Sequence, residues 1–257
     1  MKLSIIVPAH NEERRIQKTL ELYTEFFDKL EKNNKIQYIL LIVLNATKDN
    51  TLGIVKKFAG KNKHIIYLDL KSGGKGYAVI EGFKYSLNNL KSDLIGFVDA
   101  DSATSPEAFY DLVKRINGFD GVIASRYIPG ALMEPRPTLQ RYFVSRMYNL
   151  LIRTLFFIPY RDTQCGAKLF KSKALQDVLP SFTMSHWAFD VDMLFHLRKK
   201  GYDIAEVPTI WSDRQYSTIN FMKSGPLMAL AIIRLRLLYS PFSGFVRVYD
   251  KITKIFR

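Results

Sequence analysis

The sequence is poor in several kinds of residue, and each shortage excludes a class of protein. Its 257 residues include one cysteine, Cys165, which excludes an intramolecular disulfide and a cysteine-rich zinc site. We expect Cys165 to be a small core residue. The sequence also lacks internal repeats and low-complexity segments. Its hydrophobic share of 47% excludes a wholly disordered chain.

Hydrophobic runs long enough to cross a membrane are also lacking. A transmembrane helix requires ~20 mostly apolar residues, but the two most apolar stretches, Leu139–Tyr160 and Leu227–Tyr239, are short or interrupted by arginines. Such stretches are typical of core helices with arginines at their edges, or of amphipathic helices in a membrane interface. The N-terminal run Leu3–Val7 is too short for a signal peptide, so we expect a protein that faces the cytoplasm.

Acidic residues are few, with 24 against 38 lysines and arginines, and the net charge is +14. Such a charge suits a nucleic-acid binder or a protein on an anionic membrane surface. The sequence has no helix-turn-helix, zinc-finger or RNP signature, so we expect no nucleic-acid partner. Against one acidic residue, Asp250, the segment 215–257 carries Lys223, Arg234, Arg236, Arg247, Lys251, Lys254 and Arg257. This distribution favours a peripheral protein on the cytoplasmic face of a membrane.

The first half of the chain alternates regularly between strands and helices. Strand-like runs occur at Leu3–Val7, Tyr38–Leu44, Ile65–Leu68, Leu94–Val98 and Gly121–Ala124. Gly60 predicts the end of one intervening helix, and Ser105-Pro106 the start of another. The alternation predicts an α/β fold with a mostly parallel sheet flanked by helices. Ligands of such sheets bind beyond the carboxyl ends of the strands, so the residues that follow each strand are candidates for a site.

Two aspartates, Asp99 and Asp101, follow the fourth strand-like run. In an extended backbone, residues i and i+2 point to the same side. Two carboxylates on one side repel each other unless a cation lies between them. Hard oxygen ligands suit Mg²⁺ or Mn²⁺. Phosphates of the substrate usually complete the coordination of such a metal. The pair is therefore a candidate metal site.

The loops after the first and third runs add two further features. Asn11 is expected to cap the following helix, and Glu12 to face a ligand at the sheet edge. The glycine-rich segment 72–78, which contains Lys75, allows backbone N–H groups to approach an anion. This segment matches neither the Walker A nor the GxGxxG pattern. The three loops together predict a nucleoside diphosphate bound through a metal.

Six motifs extend this pattern over most of the chain. They are PAHNE (8–12), GGKGYAV (73–79), DAD (99–101), SRYIPGA (125–131), DTQCGAKLF (162–170) and FDVD (189–192). With them the chain resembles glycosyltransferase family 2 from Leu3 to about Ser217, and within that family the dolichyl-phosphate glucosyltransferase and mannose synthase group. The resemblance implies a GT-A (Rossmann-like) catalytic domain over 1–217, in which 139–160 is a candidate membrane-interface helix. Basic amphipathic helices would follow over 218–257, with no transmembrane domain.

The resemblance also implies roles for particular residues. Those that would bind the nucleotide sugar are Pro8, Ala9, Glu12, Asn45, Lys75, Asp99, Asp101 and Gln164, of which Asp99 and Asp101 would also hold the metal. Those that would receive the phosphate of the acceptor are Arg126, Arg141 and Ser145. The catalytic set would be Asp101, Asp162, Asp190 and Asp192. A motif that contains Trp211 and Ser217 would close over the site.

The implied reaction transfers a hexose from a nucleoside-diphosphate sugar to dolichyl or polyprenyl phosphate, with inversion at the anomeric carbon. The donor stays open between UDP-glucose and GDP-mannose, because Asn45 stands where relatives carry an acidic residue against the base. Ala103 has no ligating group where some relatives carry glutamine, so water or diphosphate oxygens would complete the metal site. The alternatives are a family 2 enzyme that acts on a saccharide or another acceptor, and a peripheral membrane protein without catalytic activity.

Overall fold

The structure is a computed structural model that describes residues 1–33, 35–183, 188–212 and 221–246. The strands are β1 (Lys2–Ala9), β2 (Gln37–Asn45), β3 (Ile65–Leu70), β4 (Leu94–Phe97), β5 (Gly121–Ser125), β6 (Leu132–Glu134), β7 (Lys168–Lys171), β8 (Ile204–Pro208) and β9 (Ile210–Ser212). The α-helices are α1 (Ile16–Lys32), α2 (Thr51–Ala59), α3 (Lys75–Tyr85), α4 (Pro106–Arg115), α5 (Leu139–Phe156), α6 (Ser172–Val178), α7 (Phe189–Lys199) and α8 (Phe221–Leu238). The predicted Ser217 and the basic residues of 247–257 lie outside the described ranges.

Within the described ranges, seven strands form one sheet in the order β3-β2-β1-β4-β7-β5-β8. Strand β7 runs antiparallel to its neighbours β4 and β5, and the other neighbouring pairs are parallel. The prediction of a mostly parallel sheet is therefore confirmed. Strand β1 lies between β2 and β4, so the strand order reverses there. Ligands of open α/β sheets bind at such a reversal, beyond the carboxyl ends of the strands.

Helices cover both faces of the sheet and enclose two hydrophobic cores. Residues of β2 alternate between them: Leu40 and Ile42 face one core, and Leu41 and Val43 face the other. This two-sided burial explains why the strands are almost continuously apolar. Helices α1, α2 and α4 cover the first core, and α3, α5, α6, α7 and α8 cover the second. Cys165 is fully buried in the first core, as predicted, and burial raises the pKa of its thiol to about 11.

The predicted helix boundaries in the first half are confirmed. Helix α4 begins at Pro106, and the Ser105 side chain accepts a hydrogen bond from the Ala108 amide at 3.2 Å. Helix α2 ends at Ala59, directly before Gly60. Helix α3 begins after Gly74, whose φ of 120° suits glycine because it has no Cβ to clash. That turn directs the amino end of α3 toward the carboxyl edge of the sheet.

Two pairs of elements lie outside the seven-stranded sheet: strands β6 and β9, and helices α5 and α8. Strands β6 and β9 form a parallel pair in which Met133 lies opposite Trp211. The Ser212 amide donates to the Ala103 carbonyl at 2.9 Å, which ties β9 to the loop after β4. Helices α5 and α8 contact each other on the outer side of the second core. No helix in the described ranges is both long and apolar enough to cross a membrane.

Candidate active site

A cavity of about 860 Å³ lies beyond the carboxyl ends of β3, β4 and β5. Among the predicted residues, those that line it are Lys75, Asp99, Asp101, Arg126, Arg141, Ser145, Gln164, Asp190 and Trp211. Apolar residues of α5 and α8 line its other end, among them Val144, Met147, Leu151, Pro226 and Met228. The cavity thus has an acidic region, a basic region and an apolar region. Pro8, Ala9, Glu12, Asn45, Asp162 and Asp192 do not line it.

The acidic region is the turn that follows β4. Asp99 and Asp101 both line the cavity, although the chain turns at Ala100 and Asp101 instead of continuing as a strand. The expected extended backbone is therefore wrong, but the turn still brings the two carboxylates together. Burial and the nearby Asp99 carboxylate raise the pKa of Asp101. The turn is held from α1, because the Thr19 hydroxyl donates to the Ala100 carbonyl at 2.7 Å.

The carboxylate of Asp99 lies between a lysine and a glycine. The ammonium group of Lys75, the first residue of α3, forms an ion pair with Asp99. On the other side, a Cβ added to Gly166 would lie only 1.9 Å from the Asp99 Oδ2 atom. Gly166 therefore allows Asp99 to occupy its position, which explains the glycine in the DTQCG motif.

The carboxylate pair would supply only part of the oxygen ligands that a divalent cation requires. In the described residues no group of three or more His, Cys, Asp or Glu side chains could hold a metal. Asp99 and Asp101 would therefore supply two oxygen ligands, and diphosphate or water oxygens the others. Mg²⁺ and Mn²⁺ accept such a mixed oxygen set.

The loop after β1 is built differently from the expectation. Helix α1 begins at Ile16 and has no side-chain cap, so the expected capping role of Asn11 is wrong. Asn11 has a φ of 54° and its Oδ1 atom accepts from the Lys48 amide at 2.8 Å, which joins the loops after β1 and β2. Glu12 forms a two-point ion pair with Arg15, at 2.6 and 2.7 Å. Burial nevertheless raises the pKa of Glu12.

Asn45 ends β2 beside this loop. The residue is 5% exposed, and its Oδ1 atom has no hydrogen-bond partner among the described residues. Its backbone carbonyl contacts the His10 Nδ1 atom at 2.5 Å. Pro8 and Ala9 lie opposite Val43 and Leu44 in the β1–β2 register. The carboxyl ends of β1 and β2 thus present an unsatisfied buried acceptor.

The basic region is organised by a buried carboxylate and an indole ring. Asp162 is fully buried and accepts from Arg126 through Nε at 2.8 Å and Nη2 at 3.0 Å. Burial opposes ionisation of Asp162, but the Arg126 guanidinium outweighs it and lowers the pKa of the carboxyl group. The Arg126 and Arg141 guanidinium carbons lie 5.4 and 5.6 Å from the Trp211 ring centre. These distances are in the cation–π range.

Asp162 therefore positions Arg126, and its own carboxylate does not reach the cavity. Ser145 lines the cavity and exchanges a hydrogen bond of 2.7 Å with the Tyr127 hydroxyl. Gln164 lines it too, and its Nε2 atom is buried without a partner among the described residues.

The two aspartates of the FDVD motif are separated by the structure. Asp190 lines the cavity and accepts from Lys168 at 2.6 Å. Asp192 is fully buried outside the cavity, where it accepts from the Thr183 amide at 2.8 Å and from the Tyr239 hydroxyl. Successive helical residues differ by ~100° in direction, so residues two apart point away from each other. Asp192 thus joins α7 to the residue after α8 and lies outside the cavity, although the resemblance implied a catalytic role for it.

Sequence reasoning missed two side chains of the site. Lys168 is fully buried in β7 and donates to Asp190 and to the Cys165 carbonyl, both at 2.6 Å. The signal was a lysine within the otherwise apolar segment GAKLF. Tyr148 lines the cavity, and its hydroxyl is buried without a partner among the described residues. Its position within the apolar helix α5 gave no signal.

The chain belongs to glycosyl transferase family 2, whose model matches residues 4–179. It is therefore a glycosyltransferase. It is 32% identical to a dolichyl-phosphate beta-glucosyltransferase of Dictyostelium discoideum, over 92% of this chain and 74% of that protein. It is 30% identical to a dolichyl-phosphate beta-glucosyltransferase of Trichomonas vaginalis, over 96% of this chain and 74% of that protein.

A solved structure has the same fold. It is the glucosyl-3-phosphoglycerate synthase of Mycobacterium tuberculosis in complex with Mn²⁺, UDP-glucose and glycerol 3-phosphate. The TM-score is 0.63 and the identity 17%, over 93% of this chain and 79% of that one. The likeness confirms the predicted GT-A-like architecture.

Proposed function

We propose that the protein transfers glucose from UDP-glucose to the phosphate of dolichyl or another polyprenyl phosphate at a membrane surface. The observation that carries this proposal is the cavity, which joins a carboxylate pair, two arginines and an apolar cleft between α5 and α8. A lipid phosphate is complementary to two of these parts. Its anionic head suits the arginines, and its apolar chain suits the cleft. The dolichyl-phosphate glucosyltransferase relatives support the same substrate class and favour glucose over mannose.

The acceptor phosphate would bind in the basic region. Arg126 uses Nε and one Nη2 contact for Asp162, and a guanidinium group has five N–H donors. The remaining donors and those of Arg141 suit a phosphate, because the planar fork binds two oxygens at once. Ser145 lies on the same helix as Arg141, one turn further on. The lipid chain would then follow the apolar residues of α5 and α8.

The nucleotide would lie along the carboxyl ends of β1 and β2, with its diphosphate at the carboxylate pair. The buried Asn45 Oδ1 atom would accept from an N–H group of the base, which removes the cost of leaving it unpaired. Bound Mg²⁺ or Mn²⁺ would neutralise the charge that develops on the leaving diphosphate. Lys75, at the amino end of α3, adds a positive charge and a helix end that favours phosphate.

The chemistry requires little help from a general base. A phosphate monoester has a second pKa of ~6, so the acceptor is mostly dianionic at neutral pH. Its oxygen would attack the anomeric carbon directly and invert its configuration. The protein must therefore align two anions that repel each other. We assign the binding of the acceptor phosphate to the arginines, and that of the donor diphosphate to Lys75 and the metal site. Asp190 would orient the sugar.

The outer sides of α5 and α8 form a surface that suits a bilayer. On α5, Leu139, Phe143, Met147 and Leu150 are exposed and recur every three or four residues, so they lie on one face. On α8, the exposed apolar residues are Leu227, Leu230, Ile233 and Leu237. Arginines flank both rows, and anionic lipids attract arginine. We propose that this surface, Leu139–Leu150 with Leu227–Leu237, lies on the anionic cytoplasmic leaflet.

The reaction is tested with purified protein, UDP-glucose, Mn²⁺ and dolichyl phosphate in detergent. A glycolipid product, absent when the lipid phosphate or Mn²⁺ is omitted, is the expected result. GDP-mannose in place of UDP-glucose tests the alternative donor. Turnover with a saccharide acceptor and none with the lipid phosphate would instead favour the alternative acceptor class.

The membrane surface is tested by sedimentation with vesicles of phosphatidylcholine, with and without phosphatidylserine. Phe143→Asp should reduce binding to anionic vesicles by about tenfold, because it places a charge in the apolar face. Gln17→Glu adds the same charge to an exposed site on α1, on the opposite side of the sheet, and should leave binding unchanged. Equal binding by both variants would contradict the proposed surface.

A further inference from the structure

Two side chains that line the cavity each carry a buried polar atom that has no partner among the described residues. The Tyr148 hydroxyl and the Gln164 Nε2 atom are inaccessible to solvent and make no hydrogen bond with the described residues. Both residues line the cavity. Leaving a buried polar group unpaired costs ~1–3 kcal/mol, and native proteins contain few such groups. Two of them at one cavity indicate a polar ligand that pairs with both.

Tyr148 lines the same cavity as Ser145 and Asp190. It is on α5, one turn after Ser145, and its side chain extends toward the second core. The cavity around it also receives Asp190 from the first turn of α7. Burial and the Asp190 carboxylate raise the pKa of Tyr148. The hydroxyl is therefore protonated at neutral pH and available as a donor.

The charges around these atoms select the class of ligand. The Asp190 side chain forms an ion pair of 2.6 Å with Lys168, which is fully buried. A neighbouring carboxylate repels a phosphate but accepts a hydrogen bond from a hydroxyl group. A tyrosine hydroxyl and an amide N–H also pair with hydroxyl groups. The three side chains together suit a neutral polyhydroxyl compound.

We propose that Tyr148 and Gln164, with Asp190, bind the hydroxyl groups of the hexose of the donor, so that Tyr148 helps to determine sugar specificity. The inference rests on the proposed function, which makes a nucleoside-diphosphate hexose the donor. The acceptor phosphate is bound elsewhere, by the arginines at Trp211. Tyr148 thus acts on the donor although it belongs to α5, the helix that also carries Arg141 and Ser145.

Tyr148→Phe tests the proposal, because it removes only the hydroxyl. Removal of an unpaired buried hydroxyl leaves the melting temperature of the free protein unchanged or raises it. At the same time the affinity for UDP-glucose should fall about tenfold, and the affinity for UDP, which has no sugar, should change less than twofold. Isothermal titration calorimetry with Mn²⁺ measures both. The KM for dolichyl phosphate should change less than twofold.

Two further variants complete the experiment. Gln164→Met, of similar volume, should weaken UDP-glucose relative to UDP in the same direction. Tyr142→Phe removes an exposed hydroxyl from the same helix and should change neither affinity. The proposal is overturned if Tyr148→Phe lowers the melting temperature and leaves the ratio of the two affinities unchanged, or if only the KM for dolichyl phosphate rises. A wild-type protein that binds UDP-glucose but glucosylates no lipid phosphate would contradict the proposed acceptor and leave this binding test intact.

Discussion

Substitution of Gly166 by alanine is the most direct test of the carboxylate site. The new Cβ would lie 1.9 Å from the Asp99 Oδ2 atom and 2.4 Å from its Cγ atom. An ordinary contact between such atoms is ~3.5 Å, so the Asp99 carboxylate must withdraw by about 1.5 Å. Aspartate is short, and Gly166 lies only two residues before strand β7 of the sheet, so little else can move.

The effect on catalysis follows from this displacement. A misplacement of ~1 Å in a reacting site costs ~10²-fold, so we expect kcat/KM for UDP-glucose to fall about 100-fold. The Mn²⁺ concentration for half-maximal rate should rise, because one of the two proposed metal ligands is displaced. Initial rates across a Mn²⁺ series measure both quantities, and thermal unfolding verifies the fold.

Gly60→Ala is the matched control. Its Cβ would meet the nearest backbone oxygen at 3.5 Å, an ordinary contact, and its rates should equal those of the wild type. Gly166→Ala with wild-type Mn²⁺ dependence and a kcat/KM within threefold of the wild type would refute the assignment of Asp99 to the metal.

Three further substitutions test other parts of the site. Asp162→Asn should lower the free energy of unfolding by ~3–5 kcal/mol at neutral pH, because it leaves a buried guanidinium without its carboxylate. The pKa of Asp162 is lowered in the folded state, so its contribution to the free energy of unfolding is complete above pH ~4 and is lost at lower pH. Urea titrations should therefore show that the free energy of unfolding falls less in acid for the variant than for the wild type. Lys168→Met should cost a similar ~3–5 kcal/mol, and the double variant with Asp190→Asn should recover part of it; additive losses would contradict a direct pairing. Trp211→Leu should raise the KM for dolichyl phosphate about tenfold and Trp211→Phe less, since phenylalanine keeps a ring face for the guanidinium groups, whereas equal effects of the two would argue against the cation–π contacts.

The local patterns in the sequence predicted much of the fold. The five strand-like runs correspond to β1–β5, and the Ser105-Pro106 start of α4 is found at the predicted residues. Both signals depend on neighbours in the chain, which periodicity and capping describe well. The antiparallel strand β7 and the β6–β9 pair were not predicted, because their partners are far away in sequence.

The sequence predicted part of the candidate site, namely the residues that belong to recognisable motifs. Motif positions indicated Asp99, Asp101 and Arg126, which the structure brings to one cavity. They did not reveal that Asp162 pairs with Arg126, because the cation that a loop carboxylate contacts depends on the tertiary fold. The FDVD motif also did not indicate that Asp190 and Asp192 lie on a helix, where residues two apart point in different directions. Tyr148 and Lys168 depend on packing between distant elements, which one sequence does not display.

Helix α5 carries two sets of residues on opposite sides, and on the proposed membrane surface this arrangement would set the height of the cavity above the lipid. Ser145 and Tyr148 line the cavity, whereas Phe143 and Leu150 are exposed on the proposed membrane surface. A helix with its side chains is ~10–12 Å across, and a headgroup layer is ~5–7 Å thick on each side of the hydrocarbon. A lipid anchored in the bilayer would thus need to rise only a few ångströms for its phosphate to reach the arginines. Its first isoprene units alone would leave the hydrocarbon, and the glucosylated product would return by the same short path.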